Sequence, residues 1–141
     1  MQVPSILIVE DHDDSSQFFA SVARSEGHQV RIAIDGAQAL RMAEETWPDM
    51  ILLDLALPGV DGWEVARQIR ARGSDRVRPV IIAVTALAPK DCDDAIAAGC
   101  DDCLRKPVDP EILRGVFRWF KLWAPKVPPN SLLSGSDPAM S

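Results

Sequence analysis

Short apolar runs alternate with amphipathic segments along most of the chain. Five runs rich in branched aliphatic residues predict β-strands over 5–10, 29–34, 50–55, 80–85 and 103–105. The first, third and fourth runs are apolar at nearly every position, which is typical of strands buried on both faces of a parallel sheet. The intervening segments space their apolar side chains as helices do, and predict helices over 15–26, 36–45, 63–72, 90–98 and 110–123.

The residues at the helix ends support this division. Gly27, Gly73 and Gly99 follow three of the predicted helices, and Asp35 precedes another as a candidate N-cap. Because strand and helix alternate five times, right-handed crossovers must place helices on both faces of one sheet. The pattern therefore predicts a doubly wound α/β sandwich, whose ligand site lies at the carboxyl ends of the strands.

The last predicted helix differs from the others. Its apolar residues span an arc of roughly 160°, whereas one core face needs a stripe of only about 100°. We therefore expect something beyond the sheet to cover its edges, and a homodimer through this helix is one possibility. The residues after it are rich in Pro and Ser, so the predicted division is a folded domain over 1–123 and a tail over 124–141.

Composition narrows the class of protein. A chain of 141 residues with 47% hydrophobic and 26% charged residues fits one globular domain. A net charge of −6 counts against a nucleic-acid partner, and no segment reads as a signal peptide or a membrane span.

The cysteines add an expectation about the compartment. Their odd number, 3, favours a reducing, cytoplasmic setting. Cys100 and Cys103 form a C-x-x-C pair with no second pair and no neighbouring histidine. We interpret them as buried small thiols, with redox sensing as the alternative.

Reactive side chains gather at the predicted strand ends: Glu10, Asp11, Asp54, Thr85 and Lys106. Carboxylates that meet at one edge of a sheet repel one another unless a cation offsets their charge, and Mg²⁺ prefers oxygen ligands of this kind. An aspartate can also act as a nucleophile that takes up a phosphoryl group. A hydroxyl and an ammonium group beside it would stabilise the phosphoryl oxygens, so the set predicts phosphoryl transfer.

Four motifs at these strand ends carry a family resemblance. They are ILIVED at 6–11, ILLDLALPGVDG at 51–62, VTA at 84–86 and GCDDCLRKP at 99–107. In this order and spacing the sequence resembles a response-regulator receiver domain of two-component signalling, of the stand-alone, single-domain type. The resemblance implies a flavodoxin-like (βα)5 fold with a five-stranded parallel sheet of order 2-1-3-4-5.

The resemblance also implies a role for each residue. Asp54 would be the phospho-acceptor, and Thr85 and Lys106 would bind the phosphoryl group. Glu10, Asp11, Asp54 and the backbone carbonyl of Ala56 would form the Mg²⁺ site, with Glu10 acting mostly through metal-bound water. The Lys106–Pro107 peptide bond would be cis.

The implied function is that of a phosphorelay response regulator in the cytoplasm. A sensor histidine kinase or a histidine phosphotransfer protein would donate the phosphoryl group to Asp54. The receiver would assist its own phosphorylation and dephosphorylation without being a metabolic enzyme. Output would come from changed contacts with a downstream protein target, with no nucleic acid and no membrane as direct partner.

Two departures from the family pattern keep alternatives open. Cys103 stands three residues before Lys106, where the family commonly has Tyr or Phe as part of its switch, and the chain contains no Tyr. This favours, as an alternative, a docking or dimerisation module with little phosphorylation switching. A small Mg²⁺-dependent phosphatase with an aspartyl intermediate is a further alternative, but Ala56 stands where such enzymes commonly carry a second acid.

Overall fold

The structure is a computed structural model, and it describes residues 4–86 and 88–123. Five strands and five helices alternate along the chain: β1 Ser5–Val9, α1 Asp13–Ser25, β2 Gln29–Ala33, α2 Gly36–Glu45, β3 Met50–Asp54, α3 Gly62–Arg72, β4 Val80–Thr85, α4 Pro89–Ala98, β5 Asp102–Arg105 and α5 Pro110–Trp123. All neighbouring strands pair in parallel, in the order β2-β1-β3-β4-β5. The predicted doubly wound sandwich and its strand order are confirmed.

Three of the differences from the predicted boundaries occur where a strand becomes a loop. Glu10, Ile34 and Leu55 were predicted as strand residues, but each lies just beyond its strand. The amide of Glu10 still donates to Ala33 O (3.0 Å), so the ladder contributes one more bond before the chain turns away. Each of these three residues continues the sequence pattern of its strand but lies outside the regular strand pairing.

Alternate residues of the central strands face opposite layers of the core, as a two-sided sheet requires. Leu7, Ile51 and Leu53 pack with residues of α2 and α3 on one face. Ile8 and Leu52 belong to the other face, which α1 and α5 cover. Both layers exclude water, and they hold the carboxyl ends of β1, β3 and β4 in fixed register.

Helix α5 is only partly covered. Leu113, Phe117 and Phe120 are buried, and Val116 and Trp119 pack against the same cluster. Ile112 and Leu122, on the side of the helix away from Phe117, are each 57% exposed. The sheet and α1 thus account for one side of the predicted arc, and the homodimer through this helix stays a prediction. The predicted tail, 124–141, lies outside the described residues.

The N-termini of α2 and α1 differ in how they are capped. Asp35 accepts a hydrogen bond from the amide of Gln38 (2.7 Å), as an N-cap should. At α1, Asp13 and Asp14 occupy the first turn, where their charges suit the helix dipole. The cap position itself belongs to His12, whose side chain makes no capping bond.

The interpretation of the cysteines was correct for Cys100 and wrong for Cys103. Cys100 is a buried free thiol. Cys103 is half-buried and forms a disulfide with Cys92, joining β5 to α4 across a Cα–Cα distance of 5.7 Å. The packing of α4 beside β5 brings these two residues together, and the C-x-x-C spacing contains no information about that packing.

Candidate functional site

The candidate site is built by two central strands that end side by side. In the sheet, Val9 of β1 pairs with Leu53 of β3. Glu10 directly follows β1 and Asp54 is the last residue of β3, so both carboxylates emerge at the same edge. They are among the least exposed polar residues, at 1% for Glu10 and 5% for Asp54. Two carboxylates at this depth require a compensating charge.

Lys106 supplies that charge from the loop after β5. Its Nζ atom lies 2.7 Å from Glu10 Oε1 and 3.4 Å from Asp54 Oδ2. The lysine therefore contacts both buried carboxylates. Sequence reasoning brought Lys106 to this edge as a partner of the phosphoryl group, but its closest contact in the structure is with Glu10.

Burial and neighbouring charges shift the pKa values of Glu10 and Lys106. The pKa of Glu10 is raised, first because burial disfavours its charged form and then because the Asp54 carboxyl group is close, against the opposing effect of Lys106. For Lys106, burial alone would lower the pKa of the ammonium group. The hydrogen bond to Glu10 and the charge of Asp54 outweigh burial, so the pKa of Lys106 is raised and the side chain stays cationic.

Thr85 and Lys106 are held next to each other by the backbone. Thr85 is the last residue of β4 and is 1% exposed. The amide of Lys106 donates to the carbonyl oxygen of Thr85 (2.8 Å), which fixes the chain after β5 against the end of β4. The Lys106–Pro107 peptide bond is cis, as the resemblance implied.

The loop after β3 orients the Asp54 side chain. The amide of Ala56 donates to Asp54 Oδ1 (3.0 Å), while Oδ2 lies toward Lys106. Each carboxylate oxygen thus has a different neighbour. Ala56 itself is exposed and carries no bulky side chain over the carboxylate. Its carbonyl group as a metal ligand stays a prediction.

Asp11 and His12 form the exposed rim. One ligand atom each from Glu10, Asp11, His12 and Asp54 can be chosen so that all lie within 4.8 Å of one another. Three of these groups are carboxylates, the hard oxygen donors that suit Mg²⁺. His12 Nδ1 lies 3.4 Å from Asp11 Oδ1, but the imidazole is 73% exposed, which leaves it free to turn away. The donor set therefore fits a magnesium ion.

Sequence reasoning missed one charged cluster at the other end of the sheet. Asp101 accepts hydrogen bonds from Arg70 Nη2 and from the amide of Ile81, both at 2.9 Å, and also pairs with Arg78. This carboxylate ties α3, β4 and the start of β5 together. It lies at the amino ends of the strands, away from Asp54, so its role is structural. The GCDDC segment places two aspartates side by side, and the sequence does not show which of them is buried.

A doubly wound sandwich with acidic residues, a threonine and a lysine at its strand ends has the architecture of a receiver domain. The family model described as "Response regulator receiver domain" matches residues 6–118. The chain belongs to this family of two-component signalling domains, in which phosphoaspartate and Mg²⁺ are typical.

Individual relatives agree with this assignment. The chain is 35% identical over 116 residues to the transcriptional regulatory protein AfsQ1 of Streptomyces coelicolor, covering 82% of this chain and 50% of that protein. It is 36% identical over 109 residues to the response regulator PleD of Caulobacter vibrioides, covering 77% of this chain and 24% of PleD. The chain therefore spans half or less of these relatives.

Solved structures match this chain over most of its length. A putative response regulator from Chloroflexus aurantiacus is similar with a TM-score of 0.76 and 29% identity, covering 84% of this chain and 96% of that one. A CheY-like receiver domain protein from Methanospirillum hungatei gives a TM-score of 0.78 and 25% identity, covering 89% and 98%. Within the described residues, no helix has the length and hydropathy to cross a membrane.

Proposed function

We propose that this chain is a phosphorelay receiver that takes a phosphoryl group onto Asp54 in a Mg²⁺-dependent reaction. The observation that carries the proposal is the contact of one ammonium group with two buried carboxylates: Lys106 Nζ lies 2.7 Å from Glu10 and 3.4 Å from Asp54. A structural ion pair needs one carboxylate for one lysine. The second carboxylate, with Asp11 beside it, leaves a surplus of negative charge that suits a cation and a phosphoryl group.

The chemistry follows from these positions. The donor is a phosphohistidine of a sensor histidine kinase or a histidine phosphotransfer protein. An Asp54 carboxylate oxygen attacks phosphorus, the P–N bond breaks, and its electron pair returns to the imidazole of the donor, which takes up a proton. The Ala56 amide holds the carboxylate in place, and Lys106 and Thr85 stabilise the transferred oxygens.

Glu10, Asp11 and Asp54 would hold the metal ion, with the carbonyl group of Ala56 as a further ligand. When bound, Mg²⁺ supplies positive charge that offsets the phosphoryl oxygens and the surrounding carboxylates. The buried position of Glu10 limits the movement of its carboxylate, and the hydrogen bond from Lys106 fixes its orientation.

The direct test uses acetyl phosphate as a small-molecule donor. Incubation with acetyl phosphate and Mg²⁺ is expected to add a single phosphoryl group, visible by intact-protein mass spectrometry and lost on treatment with hydroxylamine, as an acyl phosphate should be. Chelation of Mg²⁺ is expected to abolish the addition. Peptide mapping of the borohydride-reduced product should place the modification on Asp54.

Two variants make the test specific. Asp54→Asn is expected to stay unmodified, whereas Asp13→Asn, which alters an exposed carboxylate in the first turn of α1, is expected to be modified like the native chain. Equal labelling of the Asp54 variant would refute the proposal. Steady turnover of acetyl phosphate at enzymatic rates would instead favour the phosphatase alternative.

We further propose that the protein works in the cytoplasm and signals through protein contacts. The phosphoryl group adds about −1.5 to −2 charges at the end of β3, and the downstream partner would recognise the resulting change in surface. The names of some relatives describe transcriptional regulation, but that description belongs to those proteins. The net charge of −6 makes this chain itself a poor surface for nucleic acid.

A docking module with little switching is the second candidate, and one observation favours it. At the place of the usual aromatic residue, Cys103 is bonded to Cys92, so that side chain is not free to rotate inward. Binding of a partner that is unchanged by phosphorylation of Asp54 would support this candidate over the phosphorelay switch.

A further inference from the structure

The disulfide between Cys92 and Cys103 is positioned as a modification site. Cys92 lies in the first turn of α4 and Cys103 in β5, with their Cα atoms 5.7 Å apart, inside the usual range for disulfides. Both residues are half-buried, so small reagents can reach them. The third cysteine, Cys100, is buried, and burial raises the pKa of its thiol to about 12, which leaves it unreactive.

Apart from this bond, helix α4 buries little apolar surface. Ala95 is the one fully buried residue of the helix, whereas α1 and α2 each bury several side chains. Ile96, the largest apolar side chain of α4, is 47% exposed. A helix with so little buried apolar surface opens locally at low cost. The covalent bond to β5 is therefore a main restraint on its position.

The bond also joins segments that lead to and from the candidate phosphoryl site. Cys103 pairs with Ala83 in the sheet, two residues before Thr85, and Lys106 follows three residues later. Helix α4 is the first helix after Thr85. The disulfide therefore connects the helix that follows one phosphoryl-contacting residue to the strand that precedes the other.

We propose that Cys92 and Cys103 form a reversible thiol–disulfide site that locks α4 onto β5 when oxidised and releases it when reduced. The regulatory consequence rests on the function proposed above: any movement of α4 that follows phosphorylation of Asp54 is smaller in the oxidised protein than in the reduced protein. In a reducing compartment, disulfides are mostly transient or redox-sensing, which agrees with a regulatory bond.

The exchange reaction is balanced with a small-molecule disulfide such as oxidised glutathione. The thiolate of one cysteine attacks the glutathione disulfide, forms a mixed disulfide and releases one glutathione thiolate, which is protonated. The thiolate of the second cysteine then attacks the protein sulfur atom of the mixed disulfide. The other glutathione leaves as a thiolate and is protonated. Two protein thiols are oxidised and one glutathione disulfide is reduced to two thiols; a dithiol reductant reverses the reaction.

The first experiment measures the bond itself. The protein is equilibrated in glutathione buffers of graded redox poise, quenched with acid, alkylated with N-ethylmaleimide in denaturant and mapped by mass spectrometry. As the buffer becomes more oxidising, the alkylated fractions of Cys92 and Cys103 are expected to fall together, while Cys100 stays fully alkylated. Independent behaviour of the two cysteines, or a bond that includes Cys100, would overturn the proposal.

The second experiment measures the restraint on α4 by hydrogen exchange, with and without acetyl phosphate and Mg²⁺. Amides of α4 are expected to exchange about tenfold faster in the reduced protein. Cys92→Ser and Cys103→Ser are expected to match the reduced protein in every buffer, whereas Cys100→Ala keeps the redox dependence. Equal exchange of α4 in both redox states of the native chain would refute the locking of the helix.

Phosphorylation is read out separately by intact mass in the same samples. If Asp54 is labelled and the exchange of α4 responds equally in both redox states, the regulatory proposal is wrong while the proposed function stands. If Asp54 is labelled in neither state, the proposed function fails and the regulatory consequence fails with it. In that case the alkylation experiment still tests the thiol–disulfide site, and the redox dependence of hydrogen exchange still tests whether the bond restrains α4.

Discussion

Replacing Asp54 by Asn should stabilise the folded protein when divalent cations are absent. The site concentrates negative charge, because carboxylate oxygens of Glu10, Asp11 and Asp54 lie within 4.8 Å of one another. Asn keeps the shape of the side chain and an oxygen that can accept the hydrogen bond from the amide of Ala56. The substitution therefore removes charge with little change in packing.

The expected magnitude follows from the distances. At an effective dielectric constant of about 20, two like charges 4.8 Å apart repel by about 3.5 kcal/mol, and Asp54 has two such neighbours. Lys106, at 3.4 Å, attracts Asp54 by about 5 kcal/mol on the same scale. Because Asp11 is exposed and its repulsion is screened, we expect a net gain of about 1 kcal/mol in the free energy of unfolding.

The measurement is urea unfolding of the native chain and the Asp54→Asn variant at neutral pH, with a chelator and then with Mg²⁺. At a Mg²⁺ concentration ten times its dissociation constant, linkage adds about 1.4 kcal/mol to the native chain. The variant should gain far less, because it has lost a carboxylate ligand. In Mg²⁺ the order of stability should therefore approach equality or reverse.

Asp13→Asn is the matched control, since Asp13 is an exposed acid close in sequence to the site. It should change stability by only a few tenths of a kcal/mol and keep the full response to Mg²⁺. A destabilised Asp54 variant in the chelator, together with an equal Mg²⁺ response in all three proteins, would refute the argument from charge repulsion.

Three further experiments test other parts of the structure. Asp101→Asn should lower the free energy of unfolding in urea by about 3 kcal/mol, because it leaves the charges of Arg70 and Arg78 without their carboxylate partner. The control Asp102→Asn alters an exposed residue and should cost little, and similar losses in the two variants would contradict the structural role of Asp101. Phe117→Ala should lower the free energy of unfolding by about 3–5 kcal/mol, because Phe117 is fully buried. Ile112→Ala, on the exposed edge of α5, should cost under about 1 kcal/mol, and a larger loss would indicate that a dimer covers that edge. Cys100, with its thiol pKa raised to about 12, should resist iodoacetamide at pH 8, where about one thiol in ten thousand is ionised, and should react once the chain is unfolded; rapid labelling of the folded protein would disprove its burial.

The central part of the site was accessible to sequence reasoning because of a simple geometric rule. Buried parallel strands are recognisable from continuous apolar runs, and their carboxyl ends share one edge. Glu10 and Thr85 end such runs and Asp54 stands one residue before the end of another, so their proximity followed from the strands alone. Lys106 directly follows a weaker run, and its place depended more on the resemblance to the receiver family.

Pairwise contacts between distant segments were not accessible in this way. The 2.7 Å contact of Lys106 with Glu10 depends on how the loop after β5 returns over the sheet. The burial of Asp101 depends on Arg70 reaching across from α3. A sequence shows which residues are charged, but it does not show which of two adjacent aspartates meets an arginine.

The sequence by itself determined the order of the elements, the two-sided sheet and the edge at which the acids gather, because these follow from local periodicity and the handedness of crossovers. Only the tertiary structure decided that Cys103 bonds to Cys92 and that Cys100 stays a buried thiol. The physical reason is that helix α4 can pack on β5 at many rotations and offsets, and side chains in both layers together select one of them.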